Sequence, residues 1–155
     1  MDYPAEFIRV EETPIGRGVF ATRVFKREEV IGEITGHLLD DPDYQSSYCI
    51  ALEDDWSLEP DAPFRFLNHS CHPNCTLTYT METPPTGGNP RPRVWLETIR
   101  PVQSGEQCTI DYAWPAEVAI PCQCGHPHCR GWIVAQEELS LVRAQNRDAH
   151  VAVGQ

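Results

Sequence analysis

Fourteen prolines and ten glycines punctuate these 155 residues, and breakers at that density keep every regular element short. Proline is tolerated in a helix only at its first turn and hardly at all in a central strand. Short apolar or β-branched runs lie between the breakers and read as strands: residues 7–10, 19–21, 30–34, 48–52, 76–81 and 94–99. Turn signals separate them at residues 14–18, 40–43 and 53–55. Residues 83–92, reading TPPTGGNPRP, predict a long, mobile hairpin connection. One stretch reads as a helix, residues 135–146, where Leu139, Val142 and Arg143 fall at helical spacing. Residues 148–155 carry little apolar weight and are expected to fray. The expectation is a mainly β chain with a minor α+β character.

Hydrophobic residues make up 41% of the chain and charged residues 23%, the balance of a globular domain. A chain of this length buries about 68–70% of its unfolded surface, which excludes disorder as its main description. No apolar run approaches the ~20 residues of a membrane span, and residues 1–12 lack the basic and apolar regions of a secretory leader. The expectation is an intracellular, cytoplasmic protein. Twelve Lys and Arg against 23 Asp and Glu leave a formal charge of −11. That charge argues against a nucleic-acid binder and fits either a basic partner or simple solubility. Seven cysteines, an odd number without an export signal, read as reduced thiols or metal ligands rather than a disulfide framework.

Cys122, Cys124 and Cys129 form C-x-C-x4-C. Three thiolates this close repel one another unless a soft divalent cation such as zinc holds them. Gly125 and Pro127 let the chain fold back around the ion. The fourth ligand is open at this point between His126, His128 and a distant cysteine. A redox pair at Cys122 and Cys124 is the rival reading. Upstream, residues 65–75 (RFLNHSCHPNC) pack Asn, His, Ser and Cys behind an apolar entry. Such a segment reads as a loop whose polar groups are tied into specific bonds. Gly16-Arg17-Gly18 alone is a weak signal, a two-glycine turn. Residues 105–112 run as a strand into Asp111-Tyr112.

Four segments in this order, residues 16–21 (GRGVFA), 65–74, 105–112 and 122–132, resemble the SET-domain protein-lysine N-methyltransferases with a post-SET zinc segment. The resemblance covers residues 6–134. It implies a fold of several small sheets, with a knot-like crossing at the active site. It divides the chain into a SET domain over 1–115, a post-SET segment over 116–134 and a short helix with a flexible tail over 135–155. S-adenosylmethionine is the implied methyl donor and a basic, lysine-containing protein, histone-like or not, the implied partner. No nucleic acid, no membrane and no particular oligomeric state are implied.

Residue by residue, the resemblance gives Ile15, Gly16, Arg17 and Gly18 a cofactor role, largely through backbone groups. Tyr48, Arg65, Asn68 and His69 join them, and Tyr112 is the implied catalytic tyrosine. Cys71 becomes the fourth zinc ligand beside Cys122, Cys124 and Cys129, leaving Cys49, Cys75 and Cys108 free. Two departures stand out. Ile34 occupies a position where the family often carries a lysine-channel tyrosine, and pre-SET cysteines are absent from the chain. Neither Ile110 nor Leu77, near the implied lysine pocket, carries a hydroxyl that could anchor a blocking water. The resemblance therefore implies methylation beyond the first step. A catalytically weak SET module that binds a lysine-bearing partner is the alternative reading, motivated by Ile34.

Overall fold

The computed structural model describes residues 6–52 and 54–153. Its chain divides into two compact units, residues 1–68 with 74–109, and residues 69–73 with 110–155. Strands outweigh helices, as expected from the density of breakers.

The first unit opens on a hairpin of β1 (Ile8–Thr13) and β2 (Gly16–Ala21). Thr13 pairs with Gly16, so the loop is only Pro14 and Ile15. Gly16 enters β2 at φ +117°, a backbone region that residues with a Cβ rarely adopt. The sequence suggests a turn over residues 14–18. The structure shortens it, because the Thr13 hydroxyl closes the loop by bonding the Gly16 carbonyl at 2.6 Å and the Ile15 N–H at 3.2 Å.

β3 (Val30–Ile34) and β4 (Gly36–Asp40) follow, then β5 (Ile50–Ala51) and β6 (Trp56–Pro60). β4 and β6 do not stand out in the sequence, since Asp, Glu and Pro mask their alternation. The expected strand over 48–52 shrinks to two residues and leaves Tyr48 in the preceding loop. Ser46 organises that loop, its hydroxyl accepting the N–H groups of Tyr48 and Cys49. The order of this sheet is β4-β6-β5.

After a single 3-10 turn at Phe64–Phe66 comes β7 (Asn68–His69), where the chain passes from one unit to the other. β8 (Cys75–Glu82) and β9 (Arg91–Thr98) form an in-register hairpin from Cys75↔Thr98 to Glu82↔Arg91, across the expected connection. β3 pairs on the far side of β9, aligning Ile34 with Val94. Pro92, Val94, Leu96 and Thr98 alternate inward along β9, the period-2 pattern of a half-buried strand. Thr98 is fully buried but satisfied: its hydroxyl donates to the Lys26 carbonyl and accepts the Glu29 N–H. β10 (Gln107–Ile110) pairs through Gln107 and Cys108 with β2. Val19, Ala21, Phe25, Leu58, Val94, Leu96 and Val102 are the most deeply buried aliphatic and aromatic side chains of this unit.

The second unit holds β11 (Ile120–Pro121), β12 (Trp132–Ile133) and α1 (Leu139–Val153). β11 and β12 pair antiparallel. Val134, Leu139 and Val142 form a small core, with Ala116, Ala119 and Trp132 packed against it. The helix differs from expectation at both ends. Ala135 is extended and a 3-10 turn at Gln136–Glu138 precedes α1. Residues 148–153, expected to fray, continue the helix, for no Pro or Gly interrupts the chain before Gly154. Among the described residues, no helix is long and apolar enough to cross a membrane.

Candidate functional site

Within the first unit, β2 and the approach to β7 gather five of the predicted cofactor residues. The Asn68 side-chain amide donates to the Arg17 carbonyl and to Gln107 Oε1, both at 2.9 Å. Gly18 makes room for this arrangement: a Cβ there would sit 2.5 Å from Gln107 Oε1 and 3.1 Å from Asn68 Nδ2. The Arg65 guanidinium lies 4.2 Å from the Tyr48 ring centroid, and that of Arg17 lies 5.3 Å from the Phe66 ring. These contacts are within cation–π range. Tyr48 and Ile15 remain 44% and 49% exposed, and nothing lies within 4 Å of the position a Gly16 Cβ would take. The result is an open surface of backbone groups, two guanidinium groups and an aromatic face. That donor set suits a zwitterion carrying a flat ring: the arginines attract a carboxylate and the aromatics offer stacking area.

Asn74 underpins the neighbouring strand. It is 1% exposed, accepts the Thr109 N–H through Oδ1 at 2.8 Å, and donates through Nδ2 to the Gln107 carbonyl at 2.7 Å. Gln107 and Asn74 have no role assigned from the sequence, although a buried asparagine behind a proline is a signal of such a backbone clamp.

Within the second unit, His69 and Tyr112 are joined directly. The Tyr112 N–H donates to His69 Nδ1 at 3.0 Å, and the two rings are tilted at 5.4 Å. Accepting that bond places the imidazole proton on Nε2, which faces Cys71 Sγ at 3.4 Å. Burial lowers the His69 pKa; Asp111 opposes the shift and Arg130 adds to it. The ring is therefore neutral, and its 3.5 Å approach to Asp111 is not an ion pair. Trp114 stacks on Tyr112 at 5.3 Å. Between them Ala113 sits at φ +48°, left-handed backbone that costs a residue with a Cβ about 1–2 kcal/mol. Asp111 Oδ1 holds that bend by accepting the Ala113 N–H at 3.0 Å.

In the second unit the distant Cys71 converges on the three clustered cysteines. Sγ atoms of Cys71, Cys122, Cys124 and Cys129 all lie within 4.8 Å of one another. Cys71 is 3.7 Å from Cys122 and 3.9 Å from Cys129. A tetrahedron with metal–sulfur arms of ~2.3 Å has edges of about 3.8 Å, so the spacing suits a four-thiolate ion site. Backbone N–H groups of Cys124, Arg130 and Gly131 point at Cys122, Cys71 and Cys129 at 3.3–3.4 Å, as suits sulfurs carrying negative charge. Burial raises the Cys71 and Cys122 thiols, whereas Cys124 is drawn down to about 7: burial acts to raise it, but backbone N–H groups and the neighbouring Cys122 and Cys129 thiols together prevail. His126 and His128 stand outside the cluster. His126 stacks on His72 at 4.3 Å and is tilted to His128 at 5.6 Å. Cys49, Cys75 and Cys108 are free thiols, Cys75 and Cys108 buried.

The SET domain family matches this chain over residues 16–113. Among similar proteins, histone-lysine N-methyltransferase trithorax of Drosophila virilis is 31% identical over 133 residues, covering 76% of this chain and 3% of that protein. Histone-lysine N-methyltransferase set1 of Dictyostelium discoideum is 31% identical over 131 residues, 73% of this chain and 8% of that protein. Histone-lysine N-methyltransferase SETD1B of Homo sapiens is 31% identical over 108 residues, 66% of this chain and 5% of that protein. The chain thus spans less than a tenth of the length of these relatives. With a match running from the first residue of β2 to the residue after Tyr112, the chain belongs to the SET-domain family.

Proposed function

We propose that this chain transfers methyl groups from S-adenosylmethionine to the side-chain nitrogen of lysine in a basic protein, histone-like in character. The observation that carries the reading is the family match ending just beyond Tyr112, whose backbone is held by the neutral, buried His69. Relatives named as histone-lysine N-methyltransferases support the substrate class. If the source is eukaryotic, chromatin is the corresponding location.

In this reading residues 1–115 are the catalytic SET part, 116–134 the zinc segment and 135–155 the segment of the short helix and tail. Ile15, Gly16, Arg17, Gly18, Tyr48, Arg65, Asn68 and His69 hold the methyl donor, with the guanidinium groups on its carboxylate. The bound donor supplies an electrophilic methyl on a sulfonium sulfur. Tyr112 is the catalytic residue, orienting the lysine amine by a hydrogen bond, so that positioning does most of the work. A free lysine, of pKa about 10.4, is protonated at neutral pH. An apolar channel disfavours the charged form and releases the lone pair for attack. Cys71, Cys122, Cys124 and Cys129 hold one structural zinc, which clamps the C-terminal segment.

One observation favours a weaker enzyme. Ile34 is 3% exposed and adds no hydroxyl where the family often has one, and a lysine channel with one hydroxyl fewer would hold the amine less firmly. The test combines calorimetric binding of S-adenosylmethionine with turnover on a mixed panel of histones and other basic proteins, read by mass spectrometry. Cofactor binding with lysine methylation supports the enzyme. Binding without turnover across the panel favours the weak module. Failure to bind the cofactor would overturn the methyltransferase reading.

A further inference from the structure

Arg130 follows the last cysteine of the cluster in sequence, and its side chain is only 9% exposed. Its Nη2 donates to Asp111 Oδ1 at 2.8 Å and to the Val134 carbonyl at 3.0 Å. Nε is buried without a partner, and both of the bonds that anchor the guanidinium here come from Nη2. The Arg130 backbone N–H, in turn, points at Cys71 Sγ at 3.4 Å. Asp111 is the residue before Tyr112, and the same Oδ1 accepts the N–H of Ala113, the residue after it. The left-handed Ala113 needs such support, because nothing in an alanine favours φ +48°.

Two chains of contact therefore run from the cysteine cluster to the tyrosine. One passes from Cys71 to His69 Nε2 and from Nδ1 to the Tyr112 N–H. The other passes from Cys71 to Arg130, to Asp111, and to the Ala113 N–H. Together they fix the peptide groups on either side of the Tyr112 Cα and hence the direction of its Cα–Cβ bond, while the His69 and Trp114 rings flank the side chain at 5.4 and 5.3 Å.

We propose that Arg130 is a positioning residue that, through Asp111 and the Ala113 bend, locks the orientation of the Tyr112 ring. The kinetic part rests on the methyltransferase reading; the orientation itself does not. Burial makes this ion pair costly to break on one side: Asp111 without Arg130 is a partly buried carboxylate whose charge is uncompensated. A buried pair held for geometry rather than for stability is expected to affect rate more than substrate binding.

Three single variants test it in the zinc-loaded, full-length protein: Arg130→Gln, Arg130→Lys and Asp111→Asn, together with the Arg130→Gln/Asp111→Asn double variant. Zinc content and thermal melting establish that each is folded. Arg130→Lys keeps the charge, so it remains a folded comparison should Arg130→Gln fail. Arg130→Gln is expected to lower kcat by about 10- to 100-fold, with KM for a basic peptide within twofold, as a misdirected group does. Arg130→Lys should recover part of that rate, and the double variant should be no slower than the worse single one. Independently of turnover, tyrosine-labelled NMR should show one sharp set of Tyr112 ring signals, assigned through Tyr112→Phe, that becomes broadened or averaged in Arg130→Gln. Ring signals of folded Arg130→Gln identical to wild type would overturn the proposal, as would a wild-type kcat or multiplicative losses in the double variant. A wild type that binds cofactor but methylates nothing would defeat the functional reading alone, and the NMR comparison would still decide the role of Arg130.

Discussion

Asn68 uses both amide hydrogens at once, on the Arg17 carbonyl and on Gln107 Oε1, and Gly18 is the residue that leaves room for it. Adding a methyl there would place a carbon 2.5 Å from Gln107 Oε1, the far end of a flexible side chain that can swing away. Gly18→Ala is therefore expected to lose the Asn68–Gln107 bond at a stability cost of about 1 kcal/mol, the net value of one such bond. Its effect on S-adenosylmethionine should be larger, a drop in affinity of tenfold or more, because Asn68 belongs to the proposed binding surface. Denaturant titration and calorimetry on the same protein separate the two quantities. At this scale the sequence is informative where chemistry is concentrated: Asn68, His69, Cys71 and the C-x-C-x4-C run stand out as polar groups that need specific partners. Partners distant in sequence are another matter. Gln107, Asp111 and Arg130 look like ordinary polar residues until folding brings Arg130 against an aspartate 19 positions away.

Elements of the second unit depend on the cluster more than on burial. Its core is three aliphatic side chains, Val134, Leu139 and Val142, with a few neighbours. β11 and β12 contribute two residues each. Small units of this kind need a staple. Cys71→Ser should lower zinc from one ion per chain to none, and hydrogen exchange should accelerate across residues 114–135. The β8–β9 hairpin, with a core of its own, should keep its protection. A high-affinity chelator should reproduce the effect in the wild type. Unchanged zinc content in Cys71→Ser would rule out Cys71 as a ligand. The strands most visible in the sequence are those with clean alternation, β9 above all. β4 and β6 are obscured because their outward positions carry Asp and Glu and β6 ends in Pro60. The C-terminal extension of α1 is hidden because low apolar content argues for fraying, although helical propensity alone can carry a helix onward from a docked first turn.

For the molecule as a whole, charge is strongly segregated along the chain. Residues 28–64 contain 11 acidic residues and no Lys or Arg, so this segment alone accounts for the net −11 and the remainder balances to zero. A basic substrate should therefore bind with a KM that rises with ionic strength, since screening weakens attraction between exposed charges. A KM indifferent to salt would indicate apolar recognition. Acidity also sets the response to pH. Arg23 holds Glu29 below its ordinary 4.5, and Arg93 does the same for Glu33. Glu106 is lowered as well: burial acts to raise it, but the Gln103 N–H, Arg100 and Asn74 prevail. Near pH 4.5 the unfolded chain thus binds more protons than the native one, and stability falls as pH drops below about 4.5. Glu33→Gln should flatten that decline in denaturation midpoints measured from about pH 6 to pH 3.

Lysine methylation with Tyr112 at its centre is tested most directly by following labelled methyl from S-adenosylmethionine into a histone mixture, with wild type and Tyr112→Phe compared at equal zinc content and equal cofactor occupancy. The account predicts label on lysine side chains with the wild type, and a rate at least tenfold lower when only the Tyr112 hydroxyl is removed. Label appearing equally fast with both proteins, or on no lysine with either, would contradict it.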